Sequence, residues 1–297
     1  GYILTAAHCA CDTTSDNKFQ NIYAMITNYR NTGVIHVRKC AVVGIDGCGD
    51  IAILRVNDMD GQKFLSWGNS STMKPGNECY IVGNPRGEDT QSITSGVIRD
   101  PTFVDTGGAQ ILETLWSTAP GFAGNSGSCI LDKNGNIIGV YTYGTQDFET
   151  LGGGATQKVA QFVAEKMIQT NQDYRLYRGE LGISAVPLDS AAIVQLGLQG
   201  TGFNVRGMVV TDVKPGRPAA NAGIVVNDII TEVEGLVCGL NYGQTSETTG
   251  YWKLPRNSVI TVKVLTAASG YSTEVAKMVT LSTVPPASED GYLSGNA

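Results

Sequence analysis

His8, Asp50 and Ser126 are the residues of this chain whose types and spacing could assemble a nucleophilic centre. His8 follows a short apolar run in Leu4-Thr5-Ala6-Ala7-His8-Cys9, and Ser126 lies in Gly121-Phe122-Ala123-Gly124-Asn125-Ser126-Gly127-Ser128. A serine hydroxyl attacks well when an imidazole takes its proton, a carboxylate fixes the imidazole tautomer and backbone N–H groups hold the developing oxyanion. Histidine is scarce: the chain has 2, so the base is His8 or His36. His36 stands in the alternating run Val34-Ile35-His36-Val37-Arg38, which reads as an exposed strand position. Asp50 opens Gly49-Asp50-Ile51-Ala52-Ile53-Leu54, an acid at the rim of a buried-looking strand, oriented rather than solvated. Its rival, Asp46, is expected in a glycine-flanked, solvated loop. The small residues before Ser126 let the backbone aim the amides of Gly124 and Ser126 at a bound carbonyl.

The order His, Asp, Ser is that of chymotrypsin-like proteases, whereas α/β-hydrolases run Ser, acid, His around a Gly-x-Ser-x-Gly elbow. Position 128 is Ser, so that elbow fails. A cysteine nucleophile at Cys129 fits poorly, because it faces away if Ser126 faces the site and no histidine follows it. The segments around His8, Asp50 and Ser126 resemble trypsin-fold serine proteases. Asn125, the lead from Lys74 into Gly83-Asn84-Pro85-Arg86-Gly87, Ile93-Thr94-Ser95-Gly96-Val97-Ile98 and the hairpin turn Asp132-Lys133-Asn134-Gly135 narrow the resemblance to the HtrA (Deg) family. It implies a mainly β chain: a chymotrypsin-like double β-barrel followed by a PDZ domain.

That resemblance also places the substrate cleft. Pro120 falls at the base of the primary specificity pocket, where trypsin-like enzymes carry an aspartate. Tyr141, Thr142, Tyr143 and Gly144 line the cleft, Thr142 donating a hydroxyl hydrogen bond to Asp50, and Gly152-Gly153-Gly154 form the opposing wall. With no charge on either wall, cleavage is expected after uncharged small or medium apolar residues. No metal or organic cofactor is implied.

The elements around these residues read as short strands and tight turns. Thirty-seven glycines and 16% charged residues in 297 favour an all-β chain of two domains. Gln157 to Ile168 carries apolar residues at 159, 160, 163, 164 and 167, which is helical spacing. This helix closes a protease domain over 1–170, and a polar linker spans 171–178. A second pattern then begins. Arg178-Gly179-Glu180-Leu181-Gly182-Ile183, Gly207 to Val213, Lys214 to Ile224 and Asn227 to Gly235 resemble a PDZ core over 179–283. Such a module adds an extended peptide to a sheet edge, and amides of Glu180, Leu181, Gly182 and Ile183 cap its C-terminal carboxylate. The groove helix is expected in Gln244 to Leu254, which is polar and glycine-rich. Two closing strands are expected at Val259 to Leu265 and Glu274 to Leu281, then a disordered tail over 284–297.

The net charge of −6 argues against a nucleic-acid surface, and no stretch is long enough to span a membrane. The implied partners are protein or peptide substrates and peptide C-termini, with a homo-oligomer or larger assembly possible. The resemblance favours an extracytoplasmic or secretory compartment. Seven cysteines leave at least one unpaired within the chain. Because the sequence opens seven residues before His8, the first barrel is expected to lack its first strands, the chain being a fragment or completed by another polypeptide. Ser128 and Cys129, where relatives usually have Gly and Pro, keep a second class open: a non-proteolytic scaffold or peptide-binding adaptor.

Overall fold

The computed structural model describes residues 1–12, 17–27, 35–47, 49–57, 63–87, 92–104, 113–145, 148–174, 177, 179–238 and 254–283. The chain divides into two compact units after Tyr174. In the first unit, β1 (Tyr2–Thr5), β2 (Cys11–Asp12), β3 (Asn17–Lys18), β4 (Ile22–Thr27), β5 (Ile35–Asp46) and β6 (Ile51–Val56) come first. Strands β1, β6, β5 and β4 form an open antiparallel sheet in that order. Every β6 residue from Ile51 to Leu54 is buried, as the apolar run demands. Ala7, Ala10, Cys11, Cys40, Ile45, Ala52, Leu54 and Val56 make the core under this sheet.

Strands β7 (Glu78–Gly83), β8 (Ser92–Val104), β9 (Glu113–Ser117), β10 (Cys129–Asp132), β11 (Ile137–Thr145) and β12 (Phe148–Thr156) close into a six-stranded barrel. The β10–β11 turn is fixed by Asp132, whose Oδ1 accepts the N–H groups of Asn134 and Asn136 at 2.8 and 2.9 Å. Glycine lets β12 approach its neighbours closely: a Cβ on Gly153 would run into the Leu115 carbonyl, and one on Gly154 into that of Val140. The β11–β12 register shifts between Tyr141 and Tyr143, a bulge centred on Thr142.

Helix α1 (Gln157–Thr170) ends the unit as its spacing predicts, burying Val159, Ala160, Val163, Ala164 and Met167. The hydroxyl of Thr156 caps it by accepting the Val159 N–H. Just beyond it, Asp173 accepts the Ile45 N–H at 3.0 Å and pairs with Lys18 at 2.7 Å, tying the C-terminal end to the open sheet.

The second unit contains β13 (Gly179–Glu180), β14 (Ile183–Pro187), α2 (Ser190–Gln195), β15 (Met208–Val213), α3 (Pro218–Asn221), β16 (Ile229–Val233), β17 (Leu236–Val237), β18 (Val259–Leu265), β19 (Glu274–Thr280) and β20 (Ser282–Thr283). Strands β14, β15, β16, β18 and β19 lie side by side, with β17 on β16 and β13 on β20. The alternation of Val259 to Leu265 is a strand as expected, with Ile260, Val262 and Val264 in the core. Helix α2, which the sequence reading missed, starts at Asp189, whose side chain accepts the Ala192 N–H at 2.8 Å. The expected groove helix falls almost wholly on 244–253, outside the described residues, as does the tail from 284.

Candidate active site

His8 sits in a single 3₁₀ turn, Ala7–Cys9, that follows β1. Pairing of Thr5 with Ala52 brings this turn beside the start of β6. Ala6 and Ala7 are fully buried there, which anchors the turn while the His8 side chain stays 38% exposed. Asp50 immediately precedes β6 and takes a positive φ of 51°, a conformation unusual outside glycine. That backbone lets one residue grip the His8 turn three ways. Its carbonyl accepts the Ala7 N–H at 3.1 Å, Oδ1 accepts the His8 N–H at 2.9 Å, and Oδ2 lies 2.6 Å from His8 Nδ1. The ring pKa is raised from 6.5 to about 10, chiefly by the Asp50 hydrogen bond, then by the Cys9 side chain.

Asp46 is fully buried, contrary to the solvated loop expected for it, and it folds its own turn by accepting the Gly49 N–H at 3.1 Å. The sequence showed the flanking glycines but not that the carboxylate serves their backbone. His36 is exposed on β5, as its alternating pattern predicts.

The Ser126 loop reaches the His8 turn from the closed barrel. A Cβ at Gly127 would meet the Ala6 nitrogen at 2.9 Å, and Cys9 Sγ lies 3.8 Å from the Ser126 carbonyl oxygen. The loop is two nested turns, with Asn125 N–H donating to Phe122 and Ser128 N–H to Asn125 at 3.0 and 2.9 Å. Gly124 takes φ 96°. Among the described residues the N–H groups of Gly124 and Ser126 have no acceptor, so both remain open for an oxyanion. The Ser126 hydroxyl and the His8 ring make no hydrogen bond to each other. The Asn125 side chain is 1% exposed with neither amide atom paired, a burial that ordinarily costs about 1–3 kcal/mol.

Arg86 supports this loop, a role not read from the sequence. It takes φ 59° in the Asn84-Pro85-Arg86-Gly87 turn and donates its N–H to the Ala123 carbonyl at 2.7 Å. The guanidinium covers the Phe122 ring at 5.6 Å. The Pro-x-Gly pattern marked a turn, but nothing in it named the partner.

Pro120, at the base of the expected pocket, has its carbonyl held by Thr94 Oγ1 at 2.7 Å. Tyr141 is only 3% exposed, and Tyr143 meets the Trp116 ring edge-on at 5.6 Å. Thr142 makes no hydrogen bond to Asp50. The bulge turns its hydroxyl toward Gly154, where an added Cβ would lie 2.9 Å from Oγ1. Gly144 is exposed.

In the second unit, Gly182 has φ 73° and its carbonyl accepts the Lys214 N–H at 2.9 Å. The Leu181 carbonyl accepts the Ala219 N–H at 2.9 Å, and the Leu181 side chain enters the core. The N–H groups of Leu181 and Gly182 have no acceptor among the described residues, whereas Glu180 and Ile183 sit in strands paired to Ser282 and Val213. The Glu180 carboxylate is buried, contacted by Arg217 at 3.3 Å and by the Ser282 hydroxyl at 3.3 Å.

A family model described as a trypsin-like peptidase domain matches residues 1–140, and a PDZ domain model matches 209–266. The chain is HtrA-like. It is 29% identical over 205 residues to the serine protease Do-like HtrA of Bacillus subtilis (strain 168), covering 65% of this chain and 45% of the relative. It is 27% identical to a probable periplasmic serine endoprotease DegP-like of Bartonella henselae, covering 89% of this chain and 51% of the relative. The HtrA-like chain thus spans about half the length of these relatives. Its fold is that of the HtrA-type protease AlgW solved with a decapeptide, with TM-score 0.73, 24% identity, and coverage of 96% of this chain and 80% of that one. The trypsin fold and the PDZ domain expected of the HtrA-like chain are both present. In the described residues the first sheet is open with four strands while the second barrel is closed.

Proposed function

We propose that this HtrA-like chain is a serine endopeptidase acting on protein substrates. The observation that carries the reading is Asp50 gripping the His8 turn by backbone and ring while Cys9, the next residue, touches the Ser126 carbonyl. In this mechanism neutral His8 takes the Ser126 proton as Oγ attacks the scissile carbonyl carbon, and the Gly124 and Ser126 amides hold the oxyanion. Collapse breaks the C–N bond, the amine leaves with the proton from His8, and water hydrolyses the acyl-enzyme by the same route. Asp50 keeps the ring oriented throughout. In the PDZ domain, Leu181 and Gly182 offer free amides to a peptide carboxylate at the head of β14, the edge strand a peptide would extend.

An extracytoplasmic compartment fits the periplasmic naming of the Bartonella relative. No helix among the described residues is long and apolar enough to cross a membrane. Labelling by a small fluorophosphonate across pH 7 to 10 tests the activity: the chain should be labelled at Ser126 and Ser126→Ala should not. No labelling at any pH would remove the peptidase reading and leave the non-proteolytic peptide-binding adaptor.

A further inference from the structure

The primary pocket of the proposed peptidase should be hollow, and in this chain it is filled from within. Gly121 belongs to the segment leading to Ser126, Gly144 lies near the end of β11 and Gly152 stands on β12. An added Cβ at each of the three would strike the same phenol. At Gly152 it would lie 2.5 Å from the Tyr141 hydroxyl oxygen, at Gly144 2.7 Å from it, and at Gly121 2.6 Å from a ring carbon, with the hydroxyl nearer still. Three glycines from three segments therefore enclose one space, and Tyr141 occupies it.

The ring is fixed with respect to the nucleophile. Tyr141 donates its N–H to the Ser128 carbonyl at 2.8 Å, and its own carbonyl accepts the Gly127 N–H at 2.8 Å. Those bonds clamp Tyr141 to both residues that follow Ser126. The bulge at Thr142 follows directly and sets which face of the strand Tyr141 presents. At 3% exposure, enclosed on several sides, the ring has no room to swing aside without moving backbone.

We propose that Tyr141 determines specificity by plugging the primary pocket, so that only glycine- or alanine-sized side chains are accepted before the scissile bond. This rests on the peptidase reading above and narrows its substrate class. A larger side chain would have to displace a clamped aromatic ring, while a methyl group needs only the shallow mouth. A single methylene in an apolar pocket shifts selectivity by about 10–200-fold, so several should be excluded by more.

The test uses the whole chain and two reagents. A small alkyl fluorophosphonate, which carries no side chain for this pocket, reads Ser126 reactivity alone. A series of peptidyl diphenyl phosphonates ending in Gly, Ala, Val, Leu or Phe reads the pocket. The wild type should react at least 100-fold faster with Ala than with Leu or Phe. Tyr141→Ala should raise the Leu and Phe rates at least 100-fold relative to its own fluorophosphonate rate, and Tyr141→Phe should keep the wild-type profile, since ring bulk is what excludes. Tyr141→Leu, which retains apolar volume, gives a second opened pocket should Tyr141→Ala fail to fold. Fluorophosphonate labelling with a flat wild-type profile, or with an unchanged profile in a folded Tyr141→Ala or Tyr141→Leu chain, overturns the plug and leaves the peptidase standing. No labelling of the wild type overturns both.

Discussion

Asp50 holds His8 in its charged form, so raising the pH should increase the rate at which Ser126 reacts. The ring pKa stands at about 10 instead of 6.5, and the leading cause is the 2.6 Å contact between His8 Nδ1 and Asp50 Oδ2. Each unit between pH and pKa changes the neutral fraction tenfold, so at pH 7 only about one imidazole in 10³ can accept a proton. Fluorophosphonate labelling should climb about tenfold per unit from pH 7 to 9 and flatten near 10. Asp50→Asn keeps the shape of the residue and tolerates the positive φ, but removes the charge. In that variant the rise should end near neutral pH, at a plateau about 10³–10⁴ lower because the tautomer is no longer fixed. Proton NMR reads the same titration directly, because only two imidazole signals exist and His36→Ala assigns them. The linked stability has a definite sign. A raised folded-state pKa stabilises fully below pH 6.5 and loses that contribution as pH rises through about 10. With the His8 side chain 38% exposed, solvent screening limits it to about 1 kcal/mol. A His8 signal titrating near 6.5 in the wild type, or labelling already flat at pH 7, would refute the reasoning.

Two structural predictions complete the set. Gly153→Ala forces a methyl into the Leu115 carbonyl at the β9–β12 pairing, so it should destabilise by about 1–3 kcal/mol, read as a lowered thermal midpoint. Arg217→Ala should cost about 1–3 kcal/mol by removing the ion-pair partner of the buried Glu180 carboxylate, while Glu180→Gln combined with Arg217→Ala should recover part of that loss in denaturant titrations.

What the sequence disclosed was periodic or local. The apolar spacing of Val159 to Met167 could only serve a helix packed on one face, and the alternation of Val259 to Leu265 only a half-buried strand. His8, Asp50 and Ser126 could be proposed as a site because each sits in a short motif whose neighbours are small or apolar. What stayed hidden depended on partners distant in sequence. The resemblance put Tyr141 in the cleft lining but could not reveal that Gly121, Gly144 and Gly152 surround its ring. The bulge at Thr142 is a register shift with no residue signature. Glu180 read as a backbone donor because Arg217, its ion-pair partner, lies 37 positions away.

The contrast between the open sheet and the closed barrel bears on how the site fails under heat. His8 and Asp50 belong to a sheet whose outer strands β1 and β4 each have one neighbour among the described residues, whereas the Ser126 loop springs from a ring in which every strand has two. Local opening therefore starts at lower free energy on the histidine side. Such an opening withdraws His8 and Asp50 together, still bonded to each other, and leaves the Ser126 loop on an intact frame. Loss of reactivity then precedes loss of fold and reverses on cooling, so amides of β1 should exchange with solvent while those of β10 and β11 stay protected.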